Sequence, residues 1–139
     1  MFQKILLPVD LTEKHAAALD VAGRLAQQTD GAVTLLHVVE VINGLPPEEE
    51  GTFYSRLERV ARSHLQQLGN GLEERKVPYK IEVRLGKRAA DTVRFAAETA
   101  ADLIVVTAPP VDPANPAVGL HSMSYTIGLF AKCPVLVVK

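Results

Sequence analysis

Four short runs built almost wholly from branched aliphatic residues constrain this chain more than anything else in it. They are Ile5-Leu6-Leu7-Pro8-Val9, Val33 to Val39, Leu103-Ile104-Val105-Val106 and Val135-Leu136-Val137-Val138. None keeps the apolar–polar alternation of a half-wet strand; the first reads as a strand covered on both faces and the second as a buried strand. A fifth run is different. Tyr79, Ile81, Val83 and Leu85 alternate with charged residues, as an edge strand with one wet face does.

Helical spacing fills the intervals. Ala16, Leu19, Val21, Ala22, Leu25 and Ala26 follow the first run, with Thr12 as the expected N-cap and Gly31 as the stop. Phe53, Leu57, Val60, Ala61, His64, Leu65, Leu68 and Leu72 form one face of a long second helix. Gly69 and Gly71 fall within it, each weakening a helix by about 1 kcal/mol relative to alanine, so the helix either passes through softened or breaks there. Ala89 to Ala100 reads as a third helix with Val93, Ala96, Ala97 and Ala100 inward, and a short fourth helix follows Ser122. Strands alternating with helices specify an α/β fold: an open parallel sheet with helices on both faces. The expectation is one domain spanning residues 1–139, with no internal repeat.

In such a sheet, ligands sit beyond the carboxyl ends of the strands, where a helix N-terminus offers free N–H groups to an anion. Here that gap, from Thr107 to Gly119, contains Pro109, Pro110, Pro113 and Pro116, none of which has an N–H to donate. A phosphate cradle needs successive backbone N–H groups, usually permitted by glycine, and the only glycine is Gly119 at the far end. The place suits a nucleotide; the chemistry of the loop does not.

Charge narrows the partners. Fifteen Lys and Arg stand against 16 Asp and Glu with no basic run, which argues against nucleic acid. No apolar run approaches the roughly 20 residues of a membrane helix, and the first residues lack the pattern of a signal peptide. The single cysteine, Cys133, suits a reducing compartment, so a cytoplasmic location is expected.

Taken together, Ile5-Leu-Leu-Pro-Val-Asp10, Thr34-Leu-Leu-His-Val-Val39, Gly86, Ala101-Asp-Leu-Ile-Val-Val106 and Cys133-Pro-Val-Leu-Val-Val138 resemble the universal stress protein family along the whole chain. The resemblance implies a five-stranded parallel sheet in the order 3-2-1-4-5 and a homodimer formed through the last strand. Nucleotide-binding members carry Gly, two residues, Gly, nine residues, then Gly and a hydroxyl residue. That register here falls on Ala108, Val111, His121 and Ser122, so three glycines are missing and the hydroxyl is kept. The resemblance therefore implies the branch that does not bind ATP. Pro8, Asp10 and Val39 still match positions that line the adenine and ribose pocket in ATP-binding relatives.

Each candidate has a plainer reading beside it. Asp10 could receive ribose hydroxyls, or simply turn the chain into the first helix. Ser122 and Ser124 could bind an anion, but Ser122 as an ordinary N-cap is favoured. His121 reads as a solvent-facing loop residue, His37 as a rim histidine with a backbone partner, and Cys133 as a buried inert thiol. His15 and His64 have no companion at metal-ligand spacing, so neither a metal nor a catalytic residue is assigned. Val135, Leu136, Val137 and Val138 should form an apolar sheet edge that a twofold copy covers. The expected function is a non-enzymatic homodimer acting in stress response through an unidentified protein partner, without ATP. The alternative is a sensor that takes AMP, or another adenine nucleotide without a triphosphate, at the ends of strands one and four.

Overall fold

The computed structural model describes residues 1–139, apart from the side chain of Val118. Five parallel strands form one sheet: β1 (Lys4–Pro8), β2 (Ala32–Glu40), β3 (Tyr79–Gly86), β4 (Leu103–Thr107) and β5 (Val135–Val138). Their order is β3-β2-β1-β4-β5, so β3 and β5 are the edges. Helices α1 (Ala16–Thr29), α2 (Pro47–Glu74), α3 (Arg88–Glu98) and α5 (Met123–Phe130) connect them, with a single turn, α4 (Ala117–Leu120), inside the long loop.

The unbroken apolar runs are explained by two cores. Ile5, Leu7, Val33, Leu35, Leu103 and Val105 pack beneath Ala18, Ala22, Ala26, Leu65 and Leu72 of α1 and α2. Their strand neighbours Leu6, Leu36, Val38, Ile104 and Val106 point the other way, against Phe95, Ala96 and Ile127 of α3 and α5. With side chains alternating across the pleat, a strand serves two cores only if consecutive residues are apolar.

Several helix positions differ from the periodic reading. Ala16, Val60, Ala97 and Ala100 are exposed, whereas Tyr54, Thr92 and Phe95 are buried. Short alanine-rich windows fit more than one phase, so the bulky residue and its fixed packing decide the face. Thr92 escaped notice because its hydroxyl is silenced inside the helix, donating to the Arg88 carbonyl at 2.6 Å.

Two glycines owe their places to close approach. α2 runs straight through Gly69, where an added Cβ would lie 2.3 Å from Cε2 of Tyr79; the ring packs on the bare backbone and its hydroxyl accepts a hydrogen bond from Gln66 Nε2 at 2.7 Å. At the end of α1 the left-handed residue is Asp30 (φ 56°), not Gly31. Gly31 is there because a Cβ would come within 2.7 Å of the Gln3 Cα on the adjoining backbone.

Candidate functional site

β1 and β4 are paired in register at only two positions, Ile5 with Leu103 and Leu6 with Ile104. Above that short seam β1 continues beside β2, as far as Pro8 opposite Leu36, while β4 continues beside β5, as far as Thr107 opposite Val138. Neighbouring parallel strands whose connections run to opposite sides of the sheet open a crevice at their carboxyl ends. Here it is a cleft of about 250 Å³ whose lining includes Pro8, Asp10, Lys14, His15, Val38, Arg88, Thr107, Ser122 and Ser124. Val39 is buried but does not line it; the neighbouring Val38 does.

Asp10 organises the near wall. Its Oδ1 accepts from the Thr12 N–H at 3.0 Å and from the Thr12 hydroxyl, and its Oδ2 lies 2.9 Å from Lys14 Nζ. Thr12 therefore closes a turn on Asp10 and is not the N-cap of α1. That helix begins four residues later, at Ala16, after His15, which occupies the N-cap position with no capping side-chain bond. A short hydroxyl side chain offered a carboxylate two residues back prefers that local bond to capping.

His15 is the residue that sequence reasoning passed over. Only 4% exposed, it places Nε2 2.8 Å from Asp10 Oδ1, with the Asp10 N–H also directed at Nε2 (3.1 Å), and Nδ1 2.8 Å from Thr107 Oγ1. Both ring nitrogens are thus partnered within the fold, and the ring spans the crevice from β1 to β4. Its signal in the sequence was spacing alone: five residues after Asp10, where a strand-to-helix turn brings the two back together. His37, also buried, donates from Nδ1 to the Val9 carbonyl at 2.8 Å, the backbone partner expected of it.

These contacts set the charges. Burial alone would raise the Asp10 carboxyl, but hydrogen bonds from Thr12, Lys14 and His15 outweigh it and hold the group well below the usual carboxylate range. His15 is also lowered, because burial disfavours the cation and the bond to Asp10 restores only part of the loss. The crevice therefore presents a fixed carboxylate and a neutral imidazole. Lys14 is the loose member, since a solvent-exposed ion pair contributes only about 0.2–1 kcal/mol. Away from the crevice, burial pushes the Cys133 thiol up, which suits an inert side chain.

The far wall is the loop after β4. Four of its residues are prolines, and five other amides between residues 108 and 122 are already bonded inside the protein. Ala108 donates to the Val138 carbonyl at 2.7 Å, Ala114 to the Asp112 carboxylate at 2.9 Å and Asn115 to the Asp112 carbonyl at 2.8 Å. Gly119 donates to the Pro116 carbonyl and Ser122 to the Gly119 carbonyl, both at 3.1 Å. Ser122 is the N-cap of α5: its Oγ accepts from the Tyr125 N–H at 3.2 Å and donates to the Gly119 carbonyl at 2.7 Å. Ser124 is buried, with its hydroxyl 3.2 Å from that of Ser122. His121 is exposed. Beside the loop lies a wider, mainly apolar groove of about 790 Å³ lined by Pro109, Pro110, Val111, Tyr125 and Leu129 among others.

A family model described as the Universal stress protein family matches residues 1–139. The chain belongs to the universal stress protein family. Among curated relatives, Universal stress protein MJ0531 of Methanocaldococcus jannaschii is 30% identical over 142 residues, which cover 100% of this chain and 83% of the relative. Universal stress protein YxiE of Bacillus subtilis is 27% identical over 149 residues, covering both chains completely. Among solved structures, the universal stress protein UspA from Lactobacillus plantarum superposes with a TM-score of 0.81 at 22% identity, covering 100% of this chain and 99% of the other. A universal stress protein in complex with cAMP gives 0.74 at 19% identity, covering 99% and 96%. The universal stress protein from Archaeoglobus fulgidus in complex with dAMP gives 0.74 at 20% identity, covering 100% of each. At those identities the structural likeness carries the fold, and the 3-2-1-4-5 order agrees with it. In this universal stress protein, no described helix is long and apolar enough to cross a membrane.

Proposed function

We propose that this chain is a non-enzymatic, cytoplasmic stress-response protein that takes an adenine mononucleotide such as AMP in its crevice and cannot grip a triphosphate. One observation carries the reading: in the loop that would cradle β- and γ-phosphates, four residues lack an N–H and five amides are committed elsewhere. The half of the crevice beside Pro8, Asp10 and Val38 remains open, and its volume of about 250 Å³ is just below the roughly 300–1,000 Å³ of ordinary small-molecule sites. Related folds have been solved with cAMP and with dAMP, both monophosphates. Catalysis is not part of the reading, because Asp10, the one carboxylate lining the crevice, is already engaged by Thr12, Lys14 and His15.

Isothermal titration separates the possibilities. AMP is expected to bind and ATP with Mg²⁺ to give no heat; micromolar ATP binding would overturn the reading. Were AMP, cAMP and ATP all silent, the protein would act through protein contacts alone.

The reading includes a homodimer formed through β5. Leu136 and Val137 on that edge strand are 39% and 41% exposed, and Tyr125, Leu129 and Phe130 of α5 add further exposed apolar surface. An open apolar edge invites pairing, and a twofold closes it without starting a fibre. Sedimentation should give a dimer for the parent chain and a monomer for Val137→Asp, whereas a parent chain that sediments as a monomer would sink this part of the proposal.

A further inference from the structure

We infer that Lys14 is the residue that selects a phosphorylated ligand in this crevice, leaving Asp10 for the phosphate when the ligand enters. The inference rests on the mononucleotide reading and deepens it.

Asp10 has two kinds of partner. On Oδ1, the Thr12 amide and hydroxyl belong to a backbone turn, and His15 is buried and pinned at its other nitrogen by Thr107. None of these can leave without unfolding the entry to α1. On Oδ2 there is only Lys14, at 2.9 Å, carried on a flexible stem and 48% exposed. Breaking that one contact costs little and frees a carboxylate oxygen to accept a ribose hydroxyl.

Position decides where the ammonium goes next. Among the charged residues lining the crevice and the groove beside the loop, Lys14 alone lines both. Lys139 lines only the groove; Arg88 lines only the crevice and faces Glu40 at 3.7 Å. A phosphate lying between Thr107 and Ser122 meets a wall in which four residues have no N–H and five amides are already bonded, so a mobile side-chain cation supplies part of what backbone does in a glycine loop. The exchange conserves charge: Lys14 gives up a carboxylate and gains a phosphate, while Asp10 gives up an ammonium and gains a neutral hydroxyl. Such a site favours one phosphate group and gains little from a second or third.

Calorimetry with AMP and with adenosine, on the parent chain and on Lys14→Met, tests this. AMP should bind the parent about tenfold more tightly than adenosine, and K14M should erase that ratio. The unfolding transition of K14M, measured by circular dichroism, reports that the variant is folded. Equal affinity of the parent for both ligands, or an unaltered AMP affinity in K14M, would refute the role of Lys14 and leave the site standing. A parent chain that binds neither ligand would remove the mononucleotide reading itself, and this inference with it.

Discussion

Replacing Ala108, Val111 and His121 with glycine, together with Pro109→Ala and Pro110→Ala, is expected to confer tight ATP binding on this chain. The two alanines restore two N–H donors where proline offers none, and the glycines let the backbone approach a phosphate and adopt the turn a cradle needs. A hydrogen bond to a charged group contributes about 1.5–3 kcal/mol, so two restored donors should supply about 3 kcal/mol, on the order of a hundredfold in affinity. Titration with ATP and Mg²⁺ is the measurement, with AMP as the internal control, since its affinity should move far less. If all five changes produce no ATP heat, the loop is closed by its internal bonds from Ala108 to Val138 and from Gly119 to Pro116, and not by the missing glycines and added prolines.

His15→Ala is expected to cost about 2–4 kcal/mol of folding stability, because it leaves the Thr107 hydroxyl and the Asp10 carboxylate short of their partner. Urea unfolding midpoints measure it. The same residue sets a pH dependence. His15 has its folded value lowered below the ordinary 6.5, so as pH falls through 6.5 the unfolded chain takes up a proton that the native state refuses. Stability is therefore fully present above about pH 6.5 and declines on acidification until His15 protonates in place. Asp10 works in the same direction at lower pH: its stabilisation is present above the ordinary 3.8 and is lost as pH falls toward its depressed folded value. His15→Gln should remove the decline just below pH 6.5 and leave the acid limb. Parallel profiles for parent and variant between pH 7 and 5 would show that His15 is not the titrating group.

The architecture was readable because two-sided burial leaves an unmistakable trace: Ile5 to Val9 and Leu103 to Val106 can be satisfied only between two helical layers. The loop was readable for a similar reason, since proline's missing donor is a property of the residue and needs no coordinates. Helix faces were less so, because Ala16, Ala97 and Ala100 say little about phase until Phe95 and Ala18 are seen to pack. His15 left only the weak signal of its spacing from Asp10. Its importance lies in Thr107, 92 positions away, and no local pattern reports a bond across that distance.

The two cores run unbroken across β1 and β4, but the hydrogen-bonded seam between these strands is short. Below the two paired positions the join is reinforced by Asp102, whose carboxylate accepts from the Gln3 and Lys4 amides at 3.2 and 3.0 Å. Above them no strand pairing crosses the gap, and the imidazole ring of His15 is the rivet that fixes how far apart the two strands stand at the mouth. The width of the doorway is thus set by one planar side chain of constant size, which makes the opening a gauge.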